Sequence, residues 1–350
     1  MAARLTLALL CLAAPLVAGA DTLEVYRNLT GKTVLMPSGL PRLPDSIIAD
    51  LPADKTNAIA RIERALSEQG LEVVPDGPHF VRVHLKQAGN PLIYAPLRGA
   101  ELAPSKGQQI GPLGMFSFSQ ADLNQVLSIY AEVSQRTILR PTTLPAPTVS
   151  LKTQCALTKE EALYAIATVF ALNGICMLDD GPKFVQVVPM GQRGQVKKAA
   201  PKPEPGAKLF DPKKVPSMGG FGSPRPPPPP PRPLNEAERI EQEFERLRNA
   251  FYDFMHGPDP GKHPTQRLLV LYASLAGKTA MPSKDFGDWP IHFHVDTPLT
   301  KSELLYAIET TFTLNNLAII PVDDRTIRLG SIAEVLRNNG GRLGRVPPKQ

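Results

Sequence analysis

Long apolar runs are missing from this 350-residue chain once its first twenty residues are passed. A helix that crosses a bilayer needs about 20 consecutive apolar residues, and no later segment comes near that, so no direct membrane span is expected. Cysteine is scarce, with three in all. Cys11 lies in the N-terminal apolar run behind Leu10, where a lipid-attachment signal would need a small residue, which leaves Cys155 and Cys176. No serine, histidine and acid recur together at a shared position, so no hydrolase constellation stands out. No catalytic residue, cofactor-binding residue or metal ligand is expected, and the chain reads as a non-enzyme. A charged fold is lacking too. The 39 Lys+Arg against 33 Asp+Glu give +6, but residues 191–232 hold nine basic side chains and two acidic ones, and the last twenty residues hold four and one. With Arg4 also set aside, the remainder carries −5. The basic excess belongs to a linker and a tail, and a nucleic-acid partner is not expected.

Proline is abundant instead. Of 38 prolines, thirteen fall in residues 201–234, six of them consecutive from Pro226 to Pro231. Proline fixes φ and removes a donor, so this stretch is expected to be an extended spacer. Residues 191–234 then read as a basic Pro-rich linker that lets the C-terminal third of the chain tumble semi-independently. The N-terminus carries Arg4, the thirteen-residue run Leu5–Val17 and the small-x-small site Ala18-Gly19-Ala20. That is the form of a cleavable signal peptide, residues 1–20, with the mature chain starting at Asp21. Export would place Cys155 and Cys176 in an oxidising compartment. They meet the geometry of a disulfide if the strands that carry them lie side by side with Cα atoms within about 7 Å.

The chain also repeats itself. The string DGPHFVRV from Asp76 returns as DGPKFVQV from Asp180, an offset of 104 that also relates Tyr26 to Tyr130, Thr33 to Thr137 and Gly70 to Gly174. LTKEEALYAI from Leu157 returns as LTKSELLYAI from Leu299, an offset of 142 that takes Tyr130 to Tyr272. Each segment predicts a first helix carrying the tyrosine, a short strand, an alternating strand (Val149, Leu151 and Thr153 inward; Ile291, Phe293 and Val295 in the third segment), a second helix and a hairpin. The second helix opens with a capping box, Thr158 with Glu161 and Thr300 with Glu303. Its apolar stripe is Leu163, Ile166 and Phe170, matched by Ile59, Ile62 and Leu66 and by Leu305, Ile308 and Phe312. The expected fold class is α+β, three small two-helix, mixed-sheet domains at residues 21–88, 112–190 and 264–332. An amphipathic helix at 235–257, striped by Ile240, Phe244, Leu247, Phe251 and Phe254, is expected to pack on the third, and residues 333–350 read as a disordered tail.

Other motifs have plain explanations. Gly31-Lys32-Thr33 and Gly277-Lys278-Thr279 imitate the end of a phosphate-binding loop, but the earlier glycine it needs is replaced by Tyr26 and Tyr272, and each reads as a helix stop. Gly191-Gln192-Arg193-Gly194 falls after the last strand, not between helices, so an RNA-binding loop is rejected. His292 and His294 face one way with Asp296 beyond, a solvent face and not a metal site.

Taken as a string, helix, GK-T strand, alternating strand, T-x-x-E helix and DG hairpin closing in VVP resembles the periplasmic N-terminal domains of secretins, the outer-membrane channel proteins of type II secretion and type IV pilus systems. Residues 116–189, with FSFSQADLNQVLSIYAEVSQRTIL and ALTKEEALYAIATVFALNGICMLDDGPKFVQVVP, carry it most fully. Residues 266–329 follow the pattern, and the first segment is the most degenerate. Secretins continue into a β-rich pore module that these residues do not supply. The resemblance therefore implies the N-domain role alone: a periplasmic scaffold, associated with the outer membrane through protein partners. Those partners would be a secretin or other secretion or pilus component, or further copies in a ring. The alternative is an envelope signal-receiving module similar to the short N-terminal domain of TonB-dependent receptors and transducers.

Overall fold

Three times along the chain a helix, a short strand, a second helix and a two-stranded hairpin follow one another. The computed structural model describes residues 22–40, 46–86, 117–196, 200–202, 206–211, 235–256, 264–282 and 290–338, and the expected signal peptide and proline run lie outside the described residues. The first set is α1 (Thr22–Thr30), β1 (Thr33–Leu35), α2 (Ser46–Ala49), α3 (Lys55–Glu68), β2 (Leu71–Asp76) and β3 (Phe80–Leu85). The second is β4 (Ser117–Ala121), α4 (Leu123–Ser134), β5 (Thr137–Leu139), β6 (Val149–Lys152), α5 (Lys159–Leu172), β7 (Ile175–Asp179) and β8 (Phe184–Pro189). After α6 (Glu236–His256) come α7 (Pro264–Ala276), β9 (Thr279–Ala280), α8 (Lys301–Leu314), β10 (Leu317–Pro321), β11 (Thr326–Ser331) and α9 (Ile332–Asn338). The architecture is mixed α+β.

Among the described residues β4 and β6 pair antiparallel as a two-stranded ladder, and the three three-stranded sheets share one topology. In β1-β3-β2, β5-β8-β7 and β9-β11-β10 the last strand is central, parallel to the first and antiparallel to its hairpin partner. The same backbone bond closes each: Thr33 N–H donates to His79 O, Thr137 N–H to Lys183 O and Thr279 N–H to Arg325 O, all at 2.8 Å. Left-handed residues recur at two places, after the first helix (Gly31, Gln135, Gly277) and after the second (Gly70, Gly174, Asn316), with φ between 58° and 76°. A helix must leave its axis there to release the chain into a strand, and the left-handed cap does so by satisfying its last carbonyls. Gly31 N–H accordingly donates to Arg27 O at 2.8 Å, so the Gly-Lys-Thr triplets stop helices. Hydroxyls tie first helix to second in two sets: Tyr26 donates to Glu63 at 2.7 Å and Tyr272 to Glu309 at 2.6 Å. Burial, then the neighbouring carboxylate, pushes both phenols above their ordinary range.

Four local expectations need correction. In the first set the alternating strand is absent and the short helix α2 stands in its place, because Ser46-Ile47-Ile48-Ala49 lacks the two-residue alternation of Val149–Thr153. Ile291, Phe293 and Val295 do turn inward, but that stretch joins no ladder among the described residues. The basic linker does not begin at residue 191: a 3₁₀ helix, Met190–Gln195, continues from β8 and packs on the β7–β8 hairpin. The tail does not begin at 333 either, since α9 packs on β10 and β11 and Arg328 pairs with Glu334. That pair holds Glu334 below its ordinary range, chiefly through the Arg328 hydrogen bond.

Residues up to Val126 with Ala146–Asn173 form one compact unit, and Leu127–Pro145 with those from Gly174 onward form another. The boundaries do not follow the sequence repeat. The first unit centres on Leu23, Tyr26, Val34, Ile62, Leu66 and Leu71. In the second, Leu139 and Phe184 share one buried cluster with Leu268, Leu304, Ile308 and Phe312 of the third set. The third set is therefore built into the same core as β5 and β8, and the semi-independent tumbling expected of it does not fit this packing. Helix α6 packs along α7, with Leu247 and Phe251 buried and Phe254 edge-on to Phe293 at 5.8 Å. The side chain of Ile240 lies outside the described residues.

Part of the nominal linker is held too. Phe210 is buried, exchanges backbone hydrogen bonds with Leu299 at 2.7 and 3.0 Å, and stacks on Phe244 with ring centroids 5.0 Å apart. Its ring plugs the groove between α6 and the entry to α8. Replacing it by alanine removes the plug, so local opening should become cheaper. Phe210→Ala is expected to raise the rate of proteolytic cleavage at Lys208 about tenfold or more. An unchanged rate would mean that the ring does not anchor this segment.

Candidate functional site

Several of the buried polar side chains gather at one kind of place, formed once in each unit. In the first unit the start of α5 meets the β1–β3 sheet. The hydroxyl of Tyr164 donates to the buried carboxylate of Asp76, and its ring lies 5.5 Å from Phe80. His79 Nδ1 lies 2.7 Å from Glu161 Oε1. Asn173 Oδ1 accepts from the backbone and hydroxyl of Ser38 at 2.8 and 2.6 Å, and Thr33 Oγ1 accepts from Gln154 N–H at 3.1 Å.

In the second unit the start of α8 meets the β5–β8 sheet through the same contacts. Tyr306 donates to the buried carboxylate of Asp180 and packs 5.5 Å from Phe184. Lys183 Nζ donates to Glu303 at 2.7 Å and to Pro298 O at 2.9 Å. Asn315 Oδ1 accepts from the backbone and hydroxyl of Thr142 at 2.8 and 2.9 Å, and Thr137 Oγ1 accepts from Asp296 N–H at 3.3 Å. On the sheet side each residue lies 104 positions after its counterpart, and on the helix side 142. One junction is thus made twice, with different faces meeting each time, as in a heterologous contact.

Local sequence explains how these groups are presented. Each Thr-x-x-Glu box bonds in both directions: Thr158 N–H to Glu161 at 2.7 Å with the reverse bond at 3.2 Å, and Thr300 with Glu303 at the same two distances. The glutamate is therefore locked at the helix start before any partner arrives, and its other valences face the neighbouring hairpin. The hairpin supplies an acid at its bend and a basic side chain three residues on. Asp76 is flanked by Arg82 at 3.1 Å, and Asp180 accepts from Gln186 at 2.6 Å. A buried polar network of this kind specifies one arrangement, because any slip leaves charges without partners. The helix α5 is buried nearly all round, from Ala162 to Ala171, and not only along the Leu163–Phe170 stripe.

Glu161 makes the first junction pH-sensitive. Burial is the largest influence on its carboxyl and pushes the pKa up, but the Thr158 and His79 hydrogen bonds together outweigh it and hold the pKa below the ordinary value. A group depressed on folding contributes stability that is whole above its unfolded pKa, about 4.3, and is lost as pH falls through the folded value. Denaturant midpoints measured from pH 6 down to 3 should fall more steeply for the native protein than for Glu161→Gln. Parallel slopes would remove Glu161 from the acid response.

The remaining candidates from the sequence stand apart from this network or at its margin. Cys155 sits half-buried before α5, its thiol pushed up by burial and then by Glu161, and Cys176 is buried on β7. His292 and His294 are exposed, with His294 Nε2 3.4 Å from Asp296. Among the described residues no three or more histidines, cysteines and acids cluster as a metal site, and no helix is long and apolar enough to cross a membrane. Sequence reasoning missed Asp76, Asp180, Tyr164 and Tyr306 as partners, although all four stand in the repeated strings. Comparison of the chain with family models, curated proteins and solved structures finds no match.

Proposed function

We propose that this chain is a non-catalytic scaffold in the periplasm, exported by its cleavable signal peptide and acting by protein–protein contacts within a secretin-type export or pilus system. The observation that carries this reading is the junction made twice. The ionisable side chains that chemistry would need, Asp76, Glu161, Asp180, Lys183 and Glu303, are spent on joining one segment to the next. A chain that repeats a docking surface at fixed register is organised for assembly. The resemblance of residues 116–189 and 266–329 to secretin N-domains supplies the class of system. Strand β2 adds a sheet edge of the kind that accepts a partner's strand. On this reading partners are secretin or pilus components, reached in the periplasm at the outer membrane.

Affinity capture of the tagged protein from cell envelopes, after crosslinking, should recover a secretin or another component of such a system. N-terminal sequencing of the exported product should begin at Asp21. A deletion strain with intact secretion and pili, whose tagged protein captures no such component, would overturn the proposal.

A further inference from the structure

Among the described residues the junction leaves one sheet face and one helix start unused. At the sheet side, Thr33 and Thr137 are fully buried where the next segment covers them, but Thr279 at the same register is exposed. Leu35 and Leu139 are 0% exposed, while Met281 is 43% exposed. Asp76 and Asp180 are buried, while Val322 is 48% exposed. Arg325, in the place of His79 and Lys183, is exposed as well. The neighbouring Asp323 carboxylate turns back into its own hairpin bend, accepting from Arg325 and Thr326 N–H at 2.7 Å each. The backbone bond Thr279 to Arg325 shows this edge in the same conformation as the two covered ones.

At the helix side, the starts of α5 and α8 each meet a hairpin, whereas the start of α3 meets none among the described residues. Its N-cap is Asp54, which accepts from Asn57 N–H at 2.9 Å. Counting from the caps, Asn57 stands where Glu161 and Glu303 do, and Ala60 where Tyr164 and Tyr306 do. Asp54, Asn57 and Ala60 are all exposed.

The two open faces differ from the closed ones in complementary ways. Where the junctions pair a tyrosine hydroxyl with an aspartate, the open sheet face has Val322 and the open helix has Ala60. A tyrosine brought to Val322 would leave its hydroxyl without the acceptor that Asp76 and Asp180 supply, whereas alanine against valine only buries apolar surface. Where a cation meets a glutamate, Arg325 is offered to a helix start carrying the Asp54 carboxylate. We infer that the Thr279–Met281–Val322–Arg325 face of one molecule docks on the α3 start of a second copy, continuing between chains the junction made twice within each. Such a contact is heterologous and propagates into a ring or a filament. It holds whether or not the chain serves an export channel, because it rests on the junction alone.

Sedimentation velocity over a concentration series tests it, with circular dichroism to confirm folding. The purified protein should associate beyond the monomer, and Arg325→Glu should weaken association about tenfold or more by facing Asp54 with like charge. V322D alone and A60Y alone should each weaken it, and the two together should restore it by rebuilding the tyrosine–aspartate pair. A mixture of A60C and V322C should form an intermolecular disulfide that neither variant forms alone. A monomer at every concentration, association indifferent to Arg325→Glu, or crosslinking by A60C with itself would overturn the inference. Arg325 is exposed, so that arm stands even if another variant fails to fold.

Discussion

Phe312→Ala is expected to cost about 3–5 kcal/mol, the range for emptying a well-packed aromatic site. Phe312 has no exposed surface and lies in one cluster with Leu268, Ile308, Leu317 and Leu329. The size of the loss matters less than where it is felt. Leu139 and Phe184 belong to that cluster, although they come from the preceding segment. Chemical denaturation should give the magnitude, and native-state hydrogen exchange the extent. Amides of β7 and β8 should lose protection together with those of α8. Loss confined to residues 264–338 would contradict a shared core and restore the picture of independent segments.

Glu303→Ala is expected to cost about 3 kcal/mol, at the lower end of the range for breaking a buried pair. Glu303 is 2% exposed and accepts from Thr300 N–H and from Lys183 Nζ, both at 2.7 Å. Its removal takes away half of a capping box and leaves the part-buried Lys183 ammonium without its carboxylate. Lys183 retains some solvent contact and a bond to Pro298 O, which limits the damage. A double-mutant cycle separates the two losses. Once Lys183→Met has removed the cation, Glu303→Ala should cost only about 1 kcal/mol, the value of the cap. Equal costs in both backgrounds would show that the ion pair adds nothing to the junction.

The elements were largely readable because their signals are local. Capping boxes at Thr158 and Thr300, left-handed glycines at Gly31 and Gly277 and the alternation of Val149 to Thr153 each depend on a few neighbouring residues. The segment Ser46–Ala49 misled because similarity to the later segments was weakest there, and its own pattern was helical. The junction was not readable. It pairs positions related by one offset with positions related by another, as Asp76 with Tyr164 and Asp180 with Tyr306, and nothing within either string points at the other. Gln135 and Asn316 show a further limit of local rules: both take the left-handed conformation that other segments give to glycine, with φ of 58°. Asparagine tolerates that backbone at a helix end, whereas at Gln135 the fold imposes it on a side chain that disfavours it.

The two junctions are alike although the second closes a longer stretch of chain, 126 positions from Asp180 to Tyr306 against 88 from Asp76 to Tyr164. Loop-closure entropy grows slowly, so the added length costs less than the roughly 0.6 kcal/mol of a doubled loop. The length of residues 212–234 therefore matters little to holding Asp180 against Tyr306. A chain severed between Asp211 and Asn235 becomes two polypeptides whose association is bimolecular, with the second junction and the shared core as its binding energy. Co-expressed, they should be recovered as a one-to-one complex, which makes this stretch a natural place to split the protein or to insert a reporter.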